Sequence, residues 1–146
     1  MGIVTAASRN VEDMFGIPQS KLIGTSINNL MPQFMGEEHE LVIAEWARTG
    51  TWRTIGRLKE IFCIHKDQFC FSALIYLKIY IKDNNMHFIT NIFKLNDADF
   101  MVINPELKIE GLGKKFLKLL GEPAKRINLK LVIEHPDEVF NLESYS

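Results

Sequence analysis

The chain has 146 residues, of which 47% are apolar and 24% charged, so it falls in the ordinary globular range and can form a hydrophobic core. Seventeen basic and eighteen acidic residues give a formal net charge of −1. No overall electrostatic field therefore attracts the chain to nucleic acid or to an anionic membrane. The N-terminal residues lack the apolar stretch of a signal peptide or a membrane span. We therefore expect an intracellular, cytoplasmic protein with no nucleic-acid partner and no membrane-spanning segment in this chain.

The first third of the chain predicts one short strand followed by several brief helices, because glycine and proline repeatedly interrupt the apolar pattern. Gly16 ends the first helix and Pro32 ends the last. The predicted elements are a strand at Ile3 to Ala7 and helices at Asn10 to Phe15, Ser20 to Ile23 and Ile27 to Leu30.

A longer amphipathic helix is predicted from Glu37 to Thr49, where apolar residues recur at helical spacing. Gly50 follows it and marks its end. Glu37 and Glu38 fall in its first turn, where the helix dipole favours acidic side chains.

The middle of the chain is rich in β-branched and aromatic residues, which favour strands. Two polar turns, His65 to Gln68 and Lys82 to Asn85, divide it. The three predicted strands are Leu58 to Ile64, Phe69 to Ile81 and Met86 to Leu95. Their short connections indicate an antiparallel meander, so the sequence predicts an α+β fold with helices on one face of a sheet.

The long second strand divides its side chains between two faces by alternation. One face is assigned to the core, and it carries Phe71, Ala73, Ile75 and Leu77. The opposite face is unusually apolar for a surface in contact with water. We predict that its Leu74 and Tyr76 form an interaction face, either for a flanking helix or for another protein.

Short motifs occur in a fixed order along this region. They are Gly2-Ile3-Val4, Met14-Phe15-Gly16, Leu22-Ile23-Gly24, Leu30-Met31-Pro32, His39, Ile55-Gly56-Arg57 and Lys66-Asp67. The ordered set resembles a PAS domain of the S-box type. Within that family it is most similar to PAS segments of large protist membrane proteins and to the haem-PAS oxygen sensors of rhizobia. One departure is Gln68, where the family usually has glycine; another is the last strand, which does not end in Arg-Asp.

The resemblance implies a PAS fold over residues 1–97, with a mainly five-stranded antiparallel sheet, several short helices on one face and a small apolar cavity between them. The usual first strand of the family is missing from this segment. It also implies a non-enzymatic module that senses a signal and binds a protein partner or a second copy through its sheet face, with ligand gating as a further implication. The implied cavity residues are His39, Ile43, Ile55, Phe71, Ala73, Ile75, Leu77 and Ile92.

Two alternative functions stay open. His39 falls where haem-PAS sensors place their iron-ligating histidine, and Arg53 or Lys59 could pair with the haem propionates, so one alternative is a haem-based gas or redox sensor. The other is a purely structural assembly module, in which His39 only packs. Within the resemblance a flavin is not expected, because flavin photochemistry needs a cysteine in an Asn-Cys-Arg setting on the helix after the second short turn, and no cysteine precedes Cys63. No esterase elbow, zinc-protease motif or phosphate loop occurs, so we predict no enzyme.

The two cysteines, Cys63 and Cys70, stand symmetrically about the Lys66-Asp67 turn. They could face each other across a hairpin and form a redox-switchable bridge, or they could pack as separate thiols, which we expect in a reducing compartment. Two cysteines cannot by themselves form a disulfide framework or a four-ligand zinc site.

Residues 98–146 begin a second segment of the same kind. A strand at Phe100 to Asn104, a turn at Pro105 to Leu107 and the run from Lys108 to Gly121 resemble the opening of another PAS domain, which is not completed. A sheet without its first strand has unpaired backbone edges, which favour further pairing. We therefore predict that Phe100 to Asn104 lies beside the last strand and completes the first sheet. The alternatives are an obligate partner chain and a truncated gene product.

Overall fold

The computed structural model describes residues 2–50, 55–95 and 100–120. The helices are α1 (Asn10–Phe15), α2 (Gln19–Leu22), a 3₁₀ helix (Ile27–Leu30), α3 (Gln33–Thr49) and α4 (Lys114–Leu120). The strands are β1 (Leu58–Ile64), β2 (Cys70–Lys82), β3 (Asn85–Lys94), β4 (Met101–Ile103) and β5 (Ile109–Leu112). No helix in these ranges is both long and apolar enough to cross a membrane.

The predicted antiparallel meander is confirmed, and with it the α+β class. Strands β1, β2 and β3 form one sheet in that order, and both pairs are antiparallel. Asp83 and Asn84 connect β2 to β3 with φ of 50° and 60°. Two left-handed central residues define a type I′ turn, whose twist matches that of the flanking strands. This turn fixes the register, in which Lys82 pairs with Asn85 and Tyr76 with Asn91.

The predicted five-stranded sheet is not what the described residues form. Strands β4 and β5 pair with each other in a separate two-stranded sheet, and β4 does not take the place beside β3. The turn between them explains this choice. Asn104 N–H donates to the Lys108 carbonyl at 3.0 Å, and the Asn104 Oδ1 accepts from Lys108 N–H at 2.9 Å. These two hydrogen bonds close the turn locally and favour the pairing of β4 with β5.

The main core lies between one face of the sheet and the short helices. It contains Phe15, Leu22, Leu30, Cys63, Phe69, Phe71 and Ala73. Phe15 at the end of α1 meets Phe71 of β2 edge-to-face, with ring centroids 5.4 Å apart. The face of β2 that was predicted to be the core is therefore the packed one: Phe71, Ala73 and Leu77 are buried, and Ile75 is half-buried. We call it the inner face.

The hairpin β4–β5 covers one end of the opposite face, which we call the outer face, whereas Leu117 of α4 packs against the main core. Phe100 contacts Phe62 of β1, with ring centroids 5.1 Å apart. Gly111 lies so close to Cys70 that a Cβ at this glycine would overlap the Cys70 Sγ. Phe62 pairs with Ser72, so alternation places it on the face away from Phe71. The outer face is thus covered at this end by residues that follow the meander in the chain.

Helix α3 begins at Gln33, four residues earlier than predicted, because Pro32 stands at its N-cap and its fixed backbone is compatible with a helix start. The helix ends at Gly50, which has φ of 67°, as the sequence predicts. Its N-terminal turn packs on the 3₁₀ helix through Gly36 and Asn28. Near its other end, Trp46 contacts Phe88 of β3, with ring centroids 5.8 Å apart.

Candidate functional site

His39 sits on α3 within a small hydrogen-bonded cluster. Its Nδ1 lies 3.0 Å from the Oδ1 of Asn28, and the Asn28 amide donates to a carboxylate oxygen of Glu40 at 2.9 Å. Because Asn28 Oδ1 can only accept, the bond requires a proton on Nδ1 and leaves the lone pair of a neutral ring on Nε2. Burial lowers the pKa of His39; the Glu40 carboxylate opposes this shift, and the charge of Lys59 adds to it. The arrangement therefore favours a neutral imidazole at pH 7.

An open groove of about 420 Å³ lies beside this cluster. Its volume falls within the range of small-molecule sites, about 300–1,000 Å³, but the groove is open to solvent along much of its surface. The lining combines side-chain amides and carboxylates with two apolar side chains. The lining residues are Asn28, Asn29, Met31, Gln33, Gly36, Glu37, Glu40 and Ile64. Such a surface suits a ligand with hydrogen-bond donors and an apolar part.

The groove is not the place where the cavity was predicted. Of the predicted cavity residues, three are buried in the inner face and the other five are half-buried, and none lines the groove. The half-buried residues are His39, Ile43, Ile55, Ile75 and Ile92. Ile92 packs against the main core. A ligand cavity over the inner face stays a prediction. The groove residues could be found from sequence only by placing the 3₁₀ helix against the start of α3.

The groove does not suit a haem. Glu37 and Glu40 line it, and their negative charges would repel haem propionates. Lys59 is exposed on β1 and close enough for its charge to lower the pKa of His39, while Arg53 lies outside the described residues. Within the described ranges, no group of three or more His, Cys, Asp or Glu side chains could hold a metal ion.

The two cysteines are buried thiols that do not form a disulfide with each other. Cys63 pairs with Phe71 across the β1–β2 ladder, while Cys70 pairs with Ile64. Alternation therefore turns the two side chains to opposite faces of the sheet, so the register does not set them opposite each other for a bridge. Burial raises the pKa of the Cys63 thiol to about 12, so this thiol stays protonated and unreactive near neutral pH.

The open part of the outer face exposes several large apolar side chains. Leu58 is 62% exposed, Phe93 56% and Ile89 49%. The predicted interaction residues, Leu74 and Tyr76, lie among them and are half-buried. We call these five residues the outer patch. The sequence indicated only the two on β2, because the others join the patch through the strand register, in which Leu58 pairs with Tyr76 and Phe93 with Leu74.

Charged and aromatic groups flank the outer patch. Glu60 pairs with Leu74 and Lys78 pairs with Ile89, so one acidic and one basic residue stand on this face. The Lys78 ammonium lies 5.5 Å from the centre of the Tyr76 ring, a cation–π contact that keeps the amine over the patch. Further along, Tyr80 and His87 stack with ring centroids 4.9 Å apart. An apolar patch with polar neighbours is typical of a protein-binding surface.

Comparison with known proteins gives a partial similarity. No family model matches the sequence. Over 75 residues the chain is 30% identical to a probable serine/threonine-protein kinase of Dictyostelium discoideum. That alignment covers 51% of this chain and 5% of the kinase, so the chain is similar to a short segment of a much longer protein.

Proposed function

We propose that this chain is a non-enzymatic, PAS-type sensing and interaction module that binds another protein through its outer patch. The observation that carries the proposal is the exposure of Leu58, Ile89 and Phe93 around Leu74 and Tyr76, on a sheet whose other face is packed over Phe71, Ala73 and Leu77. Exposed apolar side chains that adjoin one another cost free energy in water, and a partner that covers them recovers it.

The order of elements supports the PAS assignment. An extended N-terminal segment, three short helices, one longer helix and a three-stranded meander follow one another as the family resemblance implies. Gln68 adds a local point. It has φ of 67°, a conformation that glycine adopts most readily, and it occupies the position where the family usually has glycine. A glycine, which the family usually has at this position, would fit the same left-handed backbone.

The kinase similarity fits a regulatory segment better than a catalytic one. The aligned stretch is 5% of that kinase. This chain has no Gly-rich phosphate loop, no His-Arg-Asp and no Asp-Phe-Gly motif, which a protein kinase needs to hold ATP, magnesium and the substrate hydroxyl. We infer that the chain is the kind of segment that brings a signal or a partner to a signalling protein, with any catalysis elsewhere.

The groove offers a route for ligand gating. Ile64 lines the groove and belongs to β1, and its partner in the ladder is Cys70, which contacts the covered end of the outer face. A ligand that binds two arrangements of β1 with different affinity shifts their populations and so changes the outer face. Haem is not the ligand that this lining favours, so the haem sensor is not our proposal.

A site-specific photocrosslinking experiment tests the interaction function in cells. A benzophenone side chain replaces Tyr76 in the outer patch, or Lys21 on α2 as the matched exposed control. We expect discrete, saturable adducts from position 76 that disappear in the Leu74→Asp and Phe93→Asp backgrounds. Equal adduct patterns from positions 76 and 21 would contradict the proposal, since the outer patch would then be an ordinary surface.

Mass spectrometry of the purified protein tests the sensing function. Native spectra should contain a bound small molecule that denaturation releases and that Asn28→Ala and Glu40→Ala reduce. We expect no Soret absorption, with or without added haemin. A Soret band that His39→Ala removes would replace our proposal with the haem sensor. If the purified protein contains no bound small molecule, the sensing part of the proposal is wrong and only the interaction part stands.

A further inference from the structure

Lysine side chains lie over the main core at the end of the sheet where β2 begins. The Lys94 Nζ lies 5.3 Å from the centre of the Phe71 ring. The Lys114 Nζ lies 5.5 Å from the centre of the Phe69 ring. The two rings are neighbours, with centroids 6.5 Å apart. We call these two lysines, together with Lys66 in the β1–β2 turn, the lysine cluster.

The fold brings the lysine cluster together from separate elements. Lys94 ends β3 and pairs with Ala73, so alternation places it on the inner face. Beyond the end of β3, Gly113 takes the place beside β2 through a bridge to Cys70. Lys114 follows Gly113 and opens α4, which brings its side chain to the same end of the core. The cluster therefore joins the meander to the segment that follows it.

His65 lies beside the lysine cluster. Its ring stacks on Phe69, with ring centroids 4.4 Å apart. Burial is the main cause that lowers the pKa of His65, and the charges of all three lysines lower it further. The Asp67 carboxylate, 3.4 Å from the His65 Nδ1, opposes them. The charge around this imidazole is thus positive, although the whole chain has a net charge of −1.

Such a cluster suits a small anion with more than one negative charge. Each lysine ammonium has three donors, and charge-assisted hydrogen bonds to phosphate oxygens are among the strongest in proteins. Among the described residues, neither Lys66 nor Lys114 forms an ion pair with a carboxylate. A nucleic acid or a membrane is not favoured, because the net charge of the chain gives no wider attraction to a polyanion.

We propose that the lysine cluster and His65 bind a small oxyanion with two negative charges, such as a phosphate group, at this end of the sheet. The site shares no residue with the groove or with the outer patch, so it is independent of the proposed function. The bound anion bridges Lys94 of the meander and Lys114 of α4. It therefore holds α4 and the β4–β5 hairpin against the three-stranded sheet.

Ring-proton NMR titration with sulfate tests the site through His65. Sulfate keeps both negative charges from about pH 5 to 8, where histidine titrates. A bound anion favours the protonated ring, so saturating sulfate should raise the proton affinity of His65 at least about threefold over chloride at equal ionic strength. His39 is the internal control, because Glu40 and Lys59 act on its pKa instead of the lysine cluster. Equal responses to sulfate and chloride at His65, or equal responses of the two histidines, would overturn the proposal.

A lysine variant separates anion binding from the local charge. Without sulfate, Lys114→Gln should raise the pKa of His65, because it removes one of the charges that lower it. With sulfate, it should remove most of the further rise. Lys108→Gln is the matched control, since Lys108 is exposed in the β4–β5 turn and should change neither value. A full sulfate response in Lys114→Gln would exclude α4 from the site and contradict the proposal.

Two phosphate probes distinguish the sources of the anion. Inorganic phosphate should perturb the NMR signals of His65 and Lys114 as sulfate does. If glucose 6-phosphate binds at least about tenfold more tightly than inorganic phosphate, the ligand is an organic phosphate, whereas equal or weaker binding identifies the free anion. The absence of binding by both probes would overturn the proposal.

Alkylation of Cys70 by iodoacetamide tests the bridge between α4 and the sheet. Gly111 of β5 covers the Cys70 Sγ, so the thiol reacts when the hairpin opens. Saturating sulfate should slow this reaction about threefold relative to chloride at equal ionic strength, because a ligand stabilises the state that binds it. Lys114→Gln should abolish the slowing, and Lys108→Gln should preserve it. Bound sulfate that leaves the parent rate unchanged would overturn the bridge.

Discussion

The two faces of the three-stranded sheet have similar sequences, and their environments differ most around Phe71 and Ala73. On the inner face Phe71 is 1% exposed and Ala73 is fully buried, whereas on the outer face Leu58 is 62% exposed and Phe93 56%. Composition does not distinguish them, because both faces are rich in apolar residues. The elements that cover each face make the difference. Helix α1, the short helices and the end of α3 lie on the inner face, whereas among the described residues the β4–β5 hairpin covers one end of the outer face. An apolar strand face indicates that something covers it, and only the structure identifies what does.

The largest expected effect contrasts one residue from each face. Phe71→Ala should destabilise the fold by about 3–5 kcal/mol, because it leaves a cavity among Phe15 and Phe69. Leu74→Ala should cost about 1 kcal/mol or less in the monomer, since its neighbours on the outer face are already exposed to water. Urea unfolding at low protein concentration gives both values. Similar losses from the two variants would contradict the contrast between the faces.

A smaller effect concerns how the helices are fixed to the inner face. Gly16 follows α1 with φ of 70°, and an added Cβ would lie 2.5 Å from the His65 Nε2 and 2.8 Å from the Lys66 Cγ. Gly16→Ala should therefore cost about 2–3 kcal/mol, combining left-handed strain with a steric clash. Gly24→Ala is the matched control, because Gly24 has φ of 87° but no atoms within 4 Å of the added Cβ. We expect it to cost about 1 kcal/mol, the backbone part alone. Equal losses of stability in the two variants, measured by thermal unfolding, would exclude the steric clash at Gly16.

Much of the fold could be predicted from local patterns. The three strands follow from the alternation of side chains with period 2, and both turns follow from the polar residues between the apolar runs. Gly50 ends α3 where expected. The division into two sheets could not be predicted, because edge pairing depends on which partner comes within reach, and the local turn at Asn104 decided it. The start of α3 was wrong by one turn, since the acidic residues there are not the first turn of the helix.

The candidate sites depended even more on tertiary contacts. Leu74 and Tyr76 were found by alternation along a single strand, whereas Leu58 and Phe93 join them only through register. The groove brings Asn28 together with Glu40, which lie twelve positions apart on different helices. No spacing rule along the chain indicates such a pair. His39 was identified through a family resemblance, and its contact with Asn28 is the part that required coordinates.

A third prediction concerns the covered end of the outer face. A methyl group at Gly111 would overlap the Cys70 Sγ, so Gly111→Ala should displace the β4–β5 hairpin while the main core stays folded. Cys70 alkylation by iodoacetamide should then accelerate about tenfold, whereas Cys63, buried on the inner face with a pKa of about 12, should stay unreactive. Peptide mass spectrometry separates the two thiols. Equal acceleration at both would mean that the variant unfolds the whole domain.

The smallest expected effect is a dependence of stability on pH, which arises from His39 and His65. The pKa of His39 and that of His65 are both lowered from 6.5, mainly by burial. The unfolded chain therefore binds more protons than the folded one between the folded pKa and 6.5, and stability falls as the pH drops through that window. At His65 the ring nitrogen Nδ1 accepts from Asp67 N–H at 3.1 Å, a bond that protonation of this atom removes. The Asp67 carboxylate, 3.4 Å away, partly compensates.

Protonation of the two histidines should affect the two faces of the sheet unequally. Chemical denaturation from pH 7.5 to 5.5 should show declining stability, and the His39→Gln and His65→Gln double variant should flatten the decline. Ring-proton NMR titration of the parent should give both histidines a pKa below 6.5. Because His65 lies against Gly16, where α1 meets the inner face, the chemical shifts of the inner face should respond to its protonation more than those of the outer patch. A larger response in the outer patch would contradict the separation of the two faces.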